Sequence, residues 1–416
     1  MRKAIVTSFD RTLVVNSCYS VRCVGIAIVF IIFASSVVSA APPTPPTLCE
    51  PNGCNDPAVD DAQDTNDGLT TDQSASGKLR KWNPGYYMQL LRNNRTLSQN
   101  VRFSQYDEIG SSAVLTGVMV PWRWSQLEGD TPGDYAAGIA EVKADIARLK
   151  DQPVPKHFIL KIIDFDYGAE SRDSGYFPAY LRERSLTYVG TNGVGFCRWD
   201  SFAMDRYIDL IEAYASEFED EPYFEGIVLF KETAPALGGR SPCGYSPEKY
   251  VDETERMLKA AVAAFPTTNV ILAHNYLHNQ TLSTDLVEFM ANHAVAIGGP
   301  DVLPPTCTNV SNGTWAYQAF RGETGRQDFR GTIPSIWSVE NSEMGGSLGS
   351  CTPEELVRFA DDSLHASHLA IDRNTFAGEA ENQWDAVLEY ISEPENQLTK
   401  TDCPRVYNSA CETLVQ

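Results

Sequence analysis

Acidic side chains recur at one kind of place in this sequence, directly after a short apolar run. Lys231-Glu232-Thr233 follows the run 224–230, and Asp164-Phe165-Asp166-Tyr167 follows 158–163. Gly298-Gly299-Pro300-Asp301 follows 294–297, and Glu340-Asn341-Ser342-Glu343 follows 335–339. Aromatic, amide and basic residues occupy the equivalent places elsewhere: Pro121-Trp122-Arg123-Trp124 after 113–120, and His274-Asn275-Tyr276 after 270–273. Two carboxyl groups flanking a pocket can break a glycosidic bond. One protonates the leaving oxygen, and the other attacks the carbon or activates water. Aromatic faces suit the C–H surfaces of sugar rings, and fixed donors and acceptors suit hydroxyls. The pattern makes Glu232 and Glu340 the expected catalytic pair, with Glu343 as the rival nucleophile. Trp122, Arg123, Trp124, Asp164, Asp166, Asn275, Tyr276, Asp301 and Glu343 are the expected substrate contacts. His274 reads more readily as a satisfied structural histidine.

These side chains share a site only if the elements before them converge. Eight apolar runs span 85–91, 113–120, 158–163, 224–230, 270–273, 294–297, 335–339 and 368–371. Near-continuous apolar character is what parallel strands buried on both faces require. Amphipathic helical patterns separate most of them, at 135–150, 205–218, 246–265, 283–291, 352–364 and 382–391. Ser246-Pro247 and Thr352-Pro353-Glu354-Glu355 are helix starts, the second a capping box. The helices after the first and sixth runs are poorly marked. Alternation of this kind fits a closed (β/α)8 TIM barrel or an open doubly wound sheet. No Gly-x-Gly-x-x-Gly follows the first run, and the count of eight favours the barrel. A barrel places its site on the loops at the C-terminal ends of its strands. There the fourth and seventh strands, ending in Glu232 and Glu340, face each other across the ring. Alternation along 226, 228, 230 and 232 points Glu232 inward.

On these residues the chain resembles the clan of retaining glycoside hydrolases built on (β/α)8 barrels. Phe224-Glu-Gly-Ile-Val-Leu-Phe-Lys-Glu232-Thr-Ala is similar to the clan's acid/base strand, and Ile336-Trp-Ser-Val-Glu340 to its nucleophile strand. Trp122-Arg-Trp-Ser-Gln-Leu-Glu128 with Gly133-Asp-Tyr135 is similar to the clan's segment entering the second helix. The resemblance covers roughly 80–395. It implies that Glu232 is the acid/base and Glu340 the nucleophile of a retaining mechanism. Lys231 stands where the clan usually has an asparagine that binds the sugar 2-hydroxyl, and Asp372 where it often has tryptophan. A glycan-binding barrel that keeps the fold without the reaction is the alternative these departures leave open, and an unrelated barrel enzyme is a third.

The first 40 residues read as a secretory signal peptide, with Arg2, Lys3, Arg11 and Arg22 before an apolar run at 24–33 and small residues at 38–41. An uncleaved anchor is the alternative. Residues 41–77, Pro-rich and then acidic, read as a disordered linker. The barrel is expected over 78–400, with a tail over 401–416. The chain carries 33 Lys and Arg against 55 Asp and Glu, a net charge of −22. Without residues 1–40, which hold four bases and one acid, it is −25. Such a surface repels nucleic acid and anionic lipid but not a neutral glycan. The expected partner is therefore a carbohydrate, with no nucleic acid and no membrane contact beyond the export signal. Ten cysteines are present, eight of them after residue 40, and an even count in an exported chain favours disulfides. Close spacing suggests Cys49–Cys54 and Cys403–Cys411. Cys197, Cys243, Cys307 and Cys351 can pair as 197–243 and 307–351, though sequence does not fix the connectivity. Cys-x-x-Cys and metal-helix histidine spacings are absent, as is Gly-x-Ser-x-Gly. No metal and no organic cofactor is expected.

Overall fold

The computed structural model describes residues 79–90, 98–310, 313–340, 342–344, 348–373, 381–408 and 410–414. The signal-peptide reading, the 41–77 linker, the Cys49–Cys54 pair, Asn341 and Asn374 lie outside the described residues.

Each of the eight apolar runs falls on one strand of a closed, all-parallel barrel. The strands are β1 (Gly85–Gln89), β2 (Leu115–Arg123), β3 (His157–Ile163), β4 (Phe224–Leu229), β5 (Asn269–Ala273), β6 (Ala296–Gly299), β7 (Ser335–Val339) and β8 (His368–Asp372). They pair in chain order, and β8 closes on β1 with Leu369 opposite Tyr86 and Asp372 opposite Gln89. The chain thus has the (β/α)8 TIM-barrel fold. Side chains alternate between two apolar layers, as a period of two demands. Tyr87, Met119, Ile159, Val228, Ile271, Ala273, Ala296, Ile336 and Ala370 fill the interior. Val118, Val120, Leu160, Ile162, Leu229, Leu272, Trp337 and Leu369 face the helices.

A helix follows each strand: α1 (Gln99–Ile109), α2 (Ala136–Lys150), α3 (Ser201–Phe218), α4 (Pro247–Ala264), α5 (Gln280–Asn292), α6 (Trp315–Phe320), α7 (Pro353–Arg358) and α8 (Glu381–Ser392). Ser246 caps α4 by accepting the Lys249 N–H, and Thr352 and Glu355 form the capping box of α7. The pattern expected to continue to 364 instead turns into a π-helical stretch, Phe359–Ser363. The two poorly marked helices are present. In α1 the buried face carries Arg102 and Gln105 beside Tyr106 and Ile109. Arg102 donates through Nε to both oxygens of the buried Asp145 of α2, at 3.0 Å each. An ion pair thus replaces apolar residues at that seam, which removes the periodic signal.

Between β3 and α3 the chain makes an antiparallel three-stranded sheet of Phe165–Tyr167, Thr187–Val189 and Gly193–Phe196 beside the C-terminal rim. At the opposite end of the barrel Arg80–Lys81 pairs with Cys411–Glu412, Trp82 Nε1 donates to Thr401 O at 2.8 Å, and Tyr407 donates to Asn269 Oδ1 at 2.9 Å. That end is sealed by Glu225, which accepts from Asn83 N at 2.9 Å, Asn83 Nδ2 at 2.6 Å and Asn269 Nδ2 at 3.1 Å. Disulfides join Cys197–Cys243, Cys307–Cys351 and Cys403–Cys411.

Candidate active site

Glu232 reaches the rim by a route that simple alternation does not give. β4 ends at Leu229, and Phe230 adopts a left-handed backbone with φ of 62°. The two-residue period breaks there. Phe230, expected inside the barrel, packs outward on Tyr207 and Phe196. A non-glycine residue in this conformation is strained and persists only where its surroundings over-determine it. Here the surroundings do so at every residue. Tyr207 lies with its hydroxyl 3.2 Å from the Phe230 N–H, and Asp164 Oδ1 accepts the Lys231 N–H at 2.7 Å. Arg198 Nη1 donates to Glu232 O at 2.7 Å, and the Tyr250 hydroxyl to Thr233 O at 2.7 Å. Asn275 Oδ1 accepts from Ala234 N at 3.1 Å and from Tyr276 N at 2.7 Å. With its oxygen so engaged, the Asn275 amide turns Nδ2 toward Glu232 and donates to Oε2 at 2.5 Å.

Asp164 is therefore a positioning residue and not an open hydroxyl-binding group. It is fully buried and held by Arg198 through Nη2 at 2.6 Å and Nε at 2.8 Å. His274 is buried and neutral, with burial lowering its pKa to about 4. Its Nδ1 lies 2.8 Å from Thr233 Oγ1 and its Nε2 2.7 Å from Ser283 Oγ. This is the structural role expected of it.

The expected tryptophan platforms are not at the rim. β2 runs on to Arg123, so Trp122 takes the outward phase of Val118 and Val120 and packs under the Arg102 guanidinium, 4.5 Å from its ring. Trp124 is fully buried against Phe196 and Tyr207, and its Nε1 donates to Glu128 Oε2 at 2.7 Å. Glu128 also accepts from Tyr180 at 2.8 Å, Arg206 at 2.9 Å and Gly133 N at 2.8 Å. The Trp-to-Glu segment is thus a packing lock. Arg123 shares the inward phase of Met119, and its guanidinium stacks on Tyr176 at 4.2 Å. Asp166 lies in the small sheet and accepts from Ser174 Oγ at 2.5 Å. Tyr276 is half-buried beside Trp315, ring centroids 5.4 Å apart, and Tyr167 carries the Lys231 ammonium at 3.7 Å from its ring. Tyr276 and Trp315, together with Tyr167, form the aromatic part of this rim.

Carboxyl groups crowd the rest. Burial raises the Glu232 pKa to about 8, with Asp301 and Glu340 adding to the effect and the Asn275 hydrogen bond opposing it. Burial and then the charge of Glu340 raise Asp301 to about 7, against Lys231 and Lys161. Burial and Glu340 likewise raise Asp372 to about 7, against the Gln89 hydrogen bond and the two lysines. Glu343 is fully buried and well above the usual carboxylate range, through burial first and then Asp301 and Glu340. It accepts the Val302 N–H at 3.1 Å and the Ser342 hydroxyl at 2.8 Å. Glu343 therefore braces the β6 and β7 loops, which removes it as rival nucleophile and as an exposed contact. Glu340 stays partly exposed, with Lys161 Nζ 3.8 Å from Oε1. Among the described residues no group of three or more His, Cys, Asp or Glu is arranged to hold a metal ion.

The mutual electrostatic influence of Glu232, Asp301, Glu340 and Asp372 marks one shared cluster. Sequence reasoning missed Lys161, Arg198, Gln89 and Trp315 and did not assign Asp372 to the site. Lys161 had a signal, a lysine amid the apolar run 158–163. Arg198 had none, because its partner Asp164 lies 34 residues away.

The fold is a (β/α)8 barrel, one that solved glycoside hydrolases share. The catalytic domain of a β-amylase from Paenibacillus polymyxa superposes with a TM-score of 0.51 at 8% identity, covering 75% of this chain and 99% of that one. An endo-glycoceramidase II from Rhodococcus sp. gives 0.46 at 11% identity over 74% of this chain and 80% of its own. GH5_18 from Streptomyces cattleya gives 0.46 at 13% over 81% and 94%. At these identities the likeness is one of fold, and the β-amylase domain carries it. No family model matches the sequence, and no curated protein matches it.

Proposed function

We propose that this chain is an exported glycoside hydrolase that cleaves O-glycosidic bonds by a retaining two-carboxylate mechanism, with Glu232 as acid/base and Glu340 as nucleophile. The observation that carries this reading is the opposite setting of the two glutamates on one rim. Glu232 is recessed among carboxyls, which keeps its proton at neutral pH. Glu340 is partly open and has an ammonium at 3.8 Å. Glu232 donates its proton to the glycosidic oxygen as that bond breaks. The Glu340 carboxylate forms an ester bond to the anomeric carbon. Water then attacks that carbon, giving its proton back to Glu232 and releasing Glu340. No metal or organic cofactor takes part in this scheme. Asn275 orients Glu232, while Tyr276, Trp315 and Tyr167 offer ring faces to sugar in place of Trp122 and Trp124. Arg123, Asp166 and Asp301 remain polar contacts for hydroxyls. The acidic surface suits a neutral glycan, and three disulfides fit an oxidising compartment outside the cell.

Lys231 favours one second reading, a barrel that binds glycans without cleaving them, since it stands in sequence where the clan has an asparagine and its ammonium is held on the Tyr167 ring. A panel of aryl glycosides and oligosaccharides, run on the chain and on Glu232→Gln and Glu340→Gln, separates the two. The hydrolase reading expects turnover that falls by ~10²-fold or more in each variant with folding intact. Binding without any wild-type turnover supports the second reading and refutes the first.

A further inference from the structure

We propose that Lys161 is the positioning residue of the rim, its ammonium holding the Glu340 carboxylate charged and aimed into the pocket while fixing Asp372 through Gln89. The inference rests on the assignment of Glu340 as nucleophile. In β3, Ile159 belongs to the barrel interior, so Lys161, two residues on, shares that inward face one layer higher. It is only 2% exposed.

Three donors radiate from an ammonium. Two of its acceptors here are neutral, Gln89 Oε1 at 3.1 Å and Ser338 Oγ at 3.4 Å. Its charge is matched by Glu340 Oε1 at 3.8 Å. Because the Gln89 oxygen is taken by Lys161, its Nε2 turns to Asp372 and donates to Oδ1. One lysine thus orders the carboxyls of β7 and β8.

Packing does not explain it. Met119 and Ile336 fill neighbouring interior places with apolar atoms, and a buried cation is disfavoured over such a residue unless its charge has work to do. Five charged or titratable groups share this cluster: Glu232 after β4, Asp301 after β6, Glu343 in the loop of Glu340 and Asp372 on β8 all feel the charge of Glu340, and Lys231 after β4 acts on Asp301 and Asp372. Four of these five are carboxyls. Lys231, the remaining cation, stacks on Tyr167. Removing Lys161 takes from Glu340 an ammonium at 3.8 Å while the four carboxyls stay, which shifts the balance toward its neutral form, the one that cannot attack.

The test compares pH–rate profiles of wild type, Lys161→Met and Lys161→Arg, with folding checked by circular dichroism. Lys161→Gln, polar but uncharged, takes the place of the methionine variant if that one does not fold. The expected result is an acidic limb of kcat/KM moved upward by about one pH unit or more without the charge, a loss of at least ~10-fold at mildly acid pH, and a limb left in place by arginine. In parallel, 13C resonances of labelled glutamate carboxyls, with Glu340 assigned by Glu340→Gln, are titrated without substrate. Their expected change is an upward move of the Glu340 midpoint. An unmoved limb and midpoint overturn the proposal, and so does a loss of activity equal at every pH. A wild-type chain that cleaves no glycoside refutes the hydrolase reading alone, and the carboxyl titration then still decides what Lys161 does.

Discussion

Replacing Arg198 by methionine tests how the Glu232 loop is held. The guanidinium is 3% exposed and makes contacts to Asp164, to the Glu232 carbonyl and to Tyr250. Methionine fills much of the volume but leaves Asp164, which is fully buried, as an uncompensated charge. Breaking a buried pair from one side costs ~3–5 kcal/mol, a large share of the ~5–15 kcal/mol that keeps a protein folded. Asp164→Asn in the same chain removes the stranded charge, and its Oδ1 can still accept the Lys231 N–H. The double variant should therefore recover ~2 kcal/mol or more of the loss, a coupling in the range expected for contacting residues. Urea unfolding of wild type, Arg198→Met, Asp164→Asn and the double variant, with disulfides intact, reads this directly. Activity should behave differently. The tether on the Glu232 carbonyl is absent from both Arg198 variants, and a misplacement of ~1 Å costs ~10²-fold in rate. Neither should regain full kcat. If Arg198→Met unfolds within ~1 kcal/mol of wild type, or the double variant restores both stability and kcat, the clamp is not what sets this loop.

Asn275→Ala removes the hydrogen bond that favours ionised Glu232. The basic limb of the pH–rate profile should move to higher pH while kcat falls, and a limb moving lower contradicts the assignment. The raised values of Glu232, about 8, and of Asp301 and Asp372, about 7, mean that the folded state holds protons the unfolded chain has released. Stability should then be fullest near the ordinary carboxylate pKa of ~4 and decline as pH rises toward 7–8; calorimetric melting from pH 5 to 8 checks the sign, and a rising melting temperature contradicts it. Trp315→Ala should raise KM several-fold with little change in melting, whereas Trp124→Phe should lower stability by ~1–3 kcal/mol and leave KM alone. The reverse outcome returns the sugar platform to Trp124.

Much of the scaffold was legible because parallel strands buried on both faces leave a strong mark. All eight runs are strands, and the caps at Ser246 and Thr352 start α4 and α7. The three cysteine pairings raised for the described part of the chain are the ones formed. Trp337 packs outward on Tyr317 and Phe320, the phase opposite to its neighbour Ser338, whose hydroxyl meets the inward Lys161. The site was less legible, for local reasons. Trp122 was misplaced because β2 continues three residues beyond its apolar run, to Arg123, which keeps the tryptophan in the outward phase. Phe230 was misplaced because one left-handed residue cancels the period of two. Glu343 reads as an accessible acid in sequence, but its oxygens are taken by Val302 N and Ser342. Arg198 and Asp164 find each other only through the fold.

The most direct test of the central assignment is to trap the intermediate. A glycoside carrying fluorine at C2 and a good leaving group should slow release of the sugar from Glu340 more than its attachment. Mass spectrometry should then find one sugar added per chain, on the peptide containing Glu340, with no adduct in Glu340→Gln. A sugar on Asp301, Glu343 or Asp372 instead, or a product released with inverted anomeric configuration, contradicts Glu340 as the nucleophile and the retaining scheme with it.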